Sequence, residues 1–151
     1  MRMTGEDWIA LIGKLIEAPE VQAALKEFEI SANGPRMKSG YGDQPVPKAG
    51  VTIFFKTAPP RRTKQVTDIQ FSREGLEGGS PYTGTLPHDV RWDEPCAQLN
   101  QRLGPATHTA MVENQRWEFG DRYMTVDFAQ DRSAIKKVQY GLRAEATRAA
   151  G

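Results

Sequence analysis

The hydrophobic pattern of this chain changes near residue 51, and that change constrains the fold more than any other feature. After residue 51, apolar and polar residues alternate with the period of two that is typical of β-strands. Before it, apolar residues recur at the spacing of one helix face: Trp8, Leu11, Ile12, Leu15 and Ile16. The sequence therefore predicts a helical region followed by a sheet, which is an α+β fold.

The first 30 residues contain the signals of two helices. Thr4, with Asp7 three residues later, suits a capping box at the start of the first helix. Pro19 suits the first turn of a second helix, where its missing N–H costs nothing. We predict a helical hairpin over residues 1–30. Residues 31–50 contain four glycines and three prolines without periodicity, and they are predicted to form a long loop.

The segment 51–142 is predicted to form an antiparallel sheet with one inserted helix. Residues 51–55 and 66–71 are its first two predicted strands, joined by a loop over residues 57–65. That loop contains two prolines and two arginines, and a loop over residues 57–65 is too long for a tight turn.

The last third of the chain has the clearest strand signals. Alternating residues flank Gly120 and Asp121, a pair that suits a two-residue hairpin loop. With a further strand at 135–140, three consecutive strands should form a meander. Upstream, Asp93 and the following proline start the inserted helix, which Gly104 ends. We expect this helix to pack on one face of the sheet, within a single domain spanning residues 1–151 that ends in a tail over residues 143–151.

Composition excludes several classes of function. Twenty Lys and Arg against nineteen Asp and Glu leave a net charge of +1 in 151 residues, which predicts neither nucleic-acid nor membrane binding. No apolar run approaches the length of a membrane span or of a secretory signal. The lone cysteine, Cys96, excludes an internal disulfide. Together these features predict a cytoplasmic chain.

The residues that could perform chemistry are few. His88 and His108 lie twenty residues apart, which is not the spacing of metal ligands on one helical turn. We find no nucleophile motif and no phosphate-binding loop, and we predict a non-enzyme without metal, cofactor or catalytic residues. The alternative is a small enzyme or ligand-binding domain with a pocket near His88, Cys96 and His108. Cys96 lies in the first turn of the predicted helix, where a thiol can be activated or simply buried.

Several short motifs resemble those of a known group of proteins. They are Tyr82-Thr83-Gly84-Thr85-Leu86-Pro87, Leu103-Gly104-Pro105 and Trp117-Glu118-Phe119, followed by two strands. The pattern resembles small bacterial immunity proteins encoded beside secreted polymorphic toxins. The second half is also similar to the small lipoprotein of the outer-membrane assembly machine and to the repeat of the β-lactamase inhibitor protein. The resemblance implies helices on one face of an antiparallel sheet, and protein binding without catalysis.

On this resemblance, we expect an immunity protein that binds and occludes a cognate toxin, such as one delivered by a contact-dependent or type VI secretion apparatus. Loops held by a rigid scaffold are the segments best placed to reach a partner. Tyrosine offers a large contact area at low entropic cost, and arginine offers a forked donor. The predicted partner-binding residues are Tyr41, Arg61, Arg62 and Tyr82.

Overall fold

The computed structural model describes residues 3–30, 35–58, 63–76, 78–111, 113–131 and 133–143. These residues form three short helices, α1 (Gly5–Ile9), α2 (Pro19–Glu27) and α3 (Cys96–Leu103), and one 3₁₀ turn (Pro87–Asp89). They also form eight strands: β1 (Arg36–Lys38), β2 (Tyr41–Val46), β3 (Val51–Ala58), β4 (Thr63–Ser72), β5 (His108–Met111), β6 (Asn114–Phe119), β7 (Arg122–Phe128) and β8 (Ile135–Leu142). The strands make one antiparallel sheet in the order β1-β2-β3-β4-β8-β7-β6-β5.

The two faces of the sheet differ because side chains alternate along each strand. One face is apolar and buried, with Ile53, Ile69 and Val126 fully shielded from solvent. Trp8, Val21 and Leu99 of the three helices belong to the same core cluster. The helices therefore cover this face. Within the described residues, no helix covers the opposite face of the sheet, which is mainly polar.

The predicted α+β fold with an N-terminal helical hairpin is wrong, because the structure is mainly a β-sheet with short helices. The capping box of Thr4 and Asp7 is present, but α1 is only five residues long. Residues 13–16 then run along the edge of β4, where the Ile16 N–H donates to the Lys64 carbonyl at 2.8 Å. β8 pairs only with the second half of β4. Without residues 13–16, the backbone groups in the first half of β4 would lack hydrogen-bond partners on that side. The pairing of residues 13–16 with β4 therefore overrides the helical periodicity of their side chains.

The predicted loop over residues 31–50 is also wrong for the described residues 35–50, because β1 and β2 form a hairpin there, while residues 31–34 lie outside the described part. Ser39 and Gly40 have φ values of 55° and 84°, as a two-residue turn between right-handed twisted strands requires. A Cβ on Gly42 would lie 2.5 Å from the Arg36 carbonyl oxygen, so the glycine permits the strands to approach. Gly40 and Gly42, which suggested a loop, therefore lie in a β-hairpin.

Most of the remaining elements agree with the sequence. The strands predicted at 51–55 and 66–71 and the C-terminal meander are confirmed, and Phe119 pairs with Arg122 across the predicted hairpin loop. The inserted helix is confirmed as α3. The loop predicted over residues 57–65 is wrong at both of its ends, since β3 and β4 pair as far as Ala58 and Thr63, and residues 59–62 lie outside the described part. β5 was not predicted, and it adds a fourth strand to the meander.

Candidate functional site

A cavity of about 640 Å³ lies on the face of the sheet that no described helix covers. We name it the open-face groove. Its walls come from β1 to β4 on one side and from β6, β7 and β8 on the other, so the site combines residues from both halves of the chain. It is lined by Arg36, Lys38, Tyr41, Gly42, Asp43, Phe54, Phe55, Lys56, Thr67, Asp68, Arg116, Tyr123 and Leu142.

The floor of the open-face groove contains a hydrogen-bonded cluster of three side chains. The Tyr123 hydroxyl donates to Asp68 Oδ2 at 2.6 Å, and Gln139 Nε2 donates to the same oxygen at 2.8 Å. Gln139 Nε2 also lies 2.8 Å from the Tyr123 hydroxyl oxygen. Because each member contacts the other two, the cluster forms a rigid polar platform rather than a set of free side chains.

The sheet register explains how Asp68 and Tyr123 meet although β8 separates their strands. Gly141 of β8 lies opposite Asp68 on one side and opposite Tyr123 on the other. A Cβ on Gly141 would lie 2.3 Å from Asp68 Oδ1, in the space where the side chains of Asp68 and Tyr123 meet. The glycine at position 141 is therefore needed for the floor of the groove.

Burial controls the protonation of this cluster. It raises the pKa of Asp68 above the ordinary value, although the hydrogen bonds from Tyr123 and Gln139 partly oppose the effect. Burial also raises the pKa of the Tyr123 phenol, and the neighbouring Asp68 adds to that increase. Tyr123 is thus held as a neutral donor at physiological pH.

Arg116 lies above this platform. Its guanidinium carbon is 4.2 Å from the centre of the Tyr123 ring, which is a cation–π contact. Arg116 Nε is buried and donates no hydrogen bond within the described residues. The Glu118 carboxylate lies 3.5 Å from this nitrogen, too far for a strong hydrogen bond. Arg116 is therefore held by its stacking on Tyr123 and by an ion pair with Glu118, while its Nε–H still lacks a close acceptor among the described residues.

Tyr41 stands at the rim of the open-face groove, directly after the β1–β2 turn. Its side chain is 68% exposed, and the only other large hydrophobic side chain exposed among the described residues is Leu15, at 41%. Leu15 lies beside Gln65 at the edge of β4 and does not line the groove. The rim thus presents an aromatic side chain to solvent, next to basic residues of β1 and β3.

The structure separates the four residues predicted to contact a partner. Tyr41 lines the open-face groove, as described. Tyr82 is only 4% exposed, packs on Phe71 at 4.7 Å between ring centres, and donates a hydrogen bond to the Thr85 carbonyl. It is a core residue, and the prediction that it contacts a partner is corrected for that reason. Arg61 and Arg62 lie outside the described residues.

The alternative site near His88, Cys96 and His108 does not coincide with any of the three best-formed cavities among the described residues. Cys96 is buried, and Asn100 Nδ2 donates to its sulfur at 3.3 Å. His88 stacks on Phe119 at 4.1 Å, and burial lowers its pKa. The side chain of His108 lies outside the described part. His88 and Cys96 are absent from the lining of those three cavities, and the described residues contain no group of three metal-ligating side chains.

Sequence reasoning missed the residues that form the floor of the groove. Asp68 lies between Thr67 and the buried Ile69, and Tyr123 lies between Arg122 and the buried Met124, which are ordinary surroundings for residues of a partly buried strand. The only available signal was Gly141, because a glycine inside a strand often marks a close approach. Even that signal does not indicate which side chains approach.

The fold and the groove together define the architecture: an antiparallel sheet with helices on one face and the open-face groove on the other. No family model matches the chain, and a search of the curated proteins finds no significant match. Within the described residues, no helix is long and apolar enough to cross a membrane.

Solved structures share this fold. One is an extracellular protein containing an SCP domain from Bacillus anthracis str. Ames, with a TM-score of 0.59 and 10% identity over 98% of this chain. Another is a cysteine-rich secretory protein from Staphylococcus aureus subsp. aureus Mu50, with a TM-score of 0.52 and 13% identity over 90% of this chain. The match covers 49% and 44% of those proteins, so this chain spans less than half of each. At such low identity the similarity shows the fold alone.

Proposed function

We propose that this chain is a non-catalytic binding protein, namely an immunity protein that neutralises a cognate secreted bacterial toxin through the open face of its sheet. The observation that supports this most is Tyr41, a 68% exposed aromatic side chain at the rim of a groove of about 640 Å³. Exposed aromatic residues beside a concave surface are typical anchors of protein interfaces. The identity of the partner comes from the sequence resemblance.

The chemistry of the groove also favours binding over turnover. The Asp68 carboxylate accepts hydrogen bonds from Tyr123 and Gln139, so the polar groups of the floor are engaged with one another. Both hydrogen bonds reach Oδ2 and hold the carboxylate in one orientation, so this arrangement serves as a fixed platform. A rigid platform lowers the entropic cost of association, which is what a tight inhibitor needs.

The test uses the product of the reading frame adjacent to the gene as the candidate toxin. Co-expression of the wild-type chain should restore growth, and calorimetry should detect a direct complex. Tyr41→Ala should weaken the complex by about 30-fold, since an interface anchor contributes about 2 kcal/mol. Leu15→Ala is the matched control, because it removes an exposed apolar side chain outside the groove.

Two results would contradict the proposal, and they differ in meaning. Absence of both protection and binding with the wild-type chain would argue against the immunity function. Full binding by Tyr41→Ala would argue against the open-face groove as the interface while leaving the function standing.

A further inference from the structure

We propose that the open-face groove binds an acidic, carboxylate-rich segment of a partner polypeptide, with Arg116 as the central contact. This inference rests on the proposed function and specifies the chemistry of the surface that the partner must present.

The charge of the groove differs from that of the chain as a whole. The chain is close to neutral at +1, yet four basic residues and only two acidic residues line the groove. Of the two acids, Asp43 lies opposite Arg36 in the strand register, and Asp68 is engaged by the hydrogen bonds of the floor. A local excess of positive charge on a near-neutral protein favours a partner surface of the opposite sign.

Arg116 is the basic residue whose surroundings indicate a ligand most directly. The Tyr123 ring fixes its guanidinium from below, and Tyr123 is itself fixed by Asp68. Its buried Nε has no hydrogen-bond acceptor among the described residues. Buried donors are rarely left unpaired in folded proteins. The Glu118 carboxylate, 3.5 Å from Nε, already compensates part of the charge of Arg116. A ligand carboxylate would bind the terminal nitrogens of the guanidinium, in a geometry that arginine suits better than lysine.

The walls of the groove favour a polypeptide over a nucleic acid. Phe54 and Leu142 line it beside the basic residues, and they offer contacts to the aliphatic parts of Asp and Glu side chains. The affinity for nucleic acid rises with the number of phosphates neutralised, and four basic side chains beside two acidic ones neutralise few of them. The volume of about 640 Å³ is sufficient for several side chains of one extended segment.

The experiment is a titration of the isotope-labelled chain with a capped hexaglutamate peptide, followed by backbone amide NMR shifts. We expect saturable shifts at the residues lining the groove, and binding that weakens when the salt concentration is raised. Arg116→Gln should weaken binding at least fivefold. Lys26→Gln, on the exposed side of α2 and outside the groove, is the matched control and should bind like wild type.

The same spectra show whether Arg116→Gln is folded. If that variant is unfolded, Lys38→Gln at the rim takes its place, with at least a twofold loss expected. Equal binding of hexalysine, shifts confined to the helices, or unchanged binding by the variants would overturn the inference. Tighter binding of a six-nucleotide oligothymidylate than of hexaglutamate would overturn it in favour of a nucleic acid.

This test needs no toxin, so its outcome is separate from that of the proposed function. A toxin that binds while hexaglutamate does not would refute the acidic segment and leave the function standing. Peptide binding without toxin binding would support the chemistry of the groove and contradict the function.

Discussion

At the scale of single residues, Gly141 determines whether the floor of the groove can form. Gly141→Ala should reduce the free energy of unfolding by about 1–3 kcal/mol, because the new Cβ overlaps Asp68 Oδ1 in a closely packed site. Urea denaturation measures this loss directly.

The cause can be separated from a general backbone effect by a double-mutant cycle with Asp68→Ala. Removing the Asp68 side chain removes part of the overlap, so the cost of Gly141→Ala should fall by about 1 kcal/mol in that background. Strictly additive losses would show that the clash does not involve Asp68.

The two tyrosines show how far single residues can be predicted. Tyr41 and Tyr82 both lie among glycines and prolines, and from the sequence alone both are predicted to contact a partner. One is 68% exposed and the other 4% exposed. The difference arises from packing of Tyr82 on Phe71, a contact with a residue in another element that no local pattern contains.

At the scale of elements, Arg102 connects α3 to the 3₁₀ turn before it. Its Nε and Nη2 donate to the buried Glu94 carboxylate at 3.0 Å each, and its Nη1 donates to the His88 carbonyl at 2.7 Å. Arg102→Ala leaves that carboxylate buried without its charge partner, and the loss should be about 2–3 kcal/mol.

Arg91→Ala is the control for this prediction, because Arg91 is exposed and hydrogen-bonds to Glu94 through its backbone N–H and carbonyl, which the substitution keeps. Its effect should stay within about 0.5 kcal/mol in the same thermal or urea unfolding measurement. Equal losses in the two variants would show that the ion pair does not stabilise this region.

Elements with strong local signals were predicted, and those that depend on distant partners were not. The β6–β7 hairpin follows from alternation around Gly120, and α3 follows from its proline start and glycine stop. The extended segment at 13–16 has a helical apolar spacing, yet it pairs with β4 because that edge needs hydrogen bonds. Hydrophobic periodicity indicates which side chains are buried, but it does not indicate which backbone groups pair with one another.

At the scale of the whole molecule, the pairing of β4 with β8 joins the two halves of the sheet and creates the groove. Asp68 and Gly141 become neighbours across 73 positions of sequence, as the register shows. Strands adjacent in sequence are the default expectation, so this non-consecutive pairing had no signal in the sequence. For that reason Arg116, Tyr123 and Asp68 could not be assigned to one site in advance.

The most direct test of the central claim, that a partner protein binds the open face of the sheet, is hydroxyl-radical footprinting of the chain with and without its cognate toxin. Tyr41 and Leu15 are both exposed in the free chain and both react with the radical, but only Tyr41 lines the groove. We predict that oxidation of Tyr41 falls at least fivefold in the complex while that of Leu15 is unchanged. Protection of Leu15 with no change at Tyr41 would contradict the account.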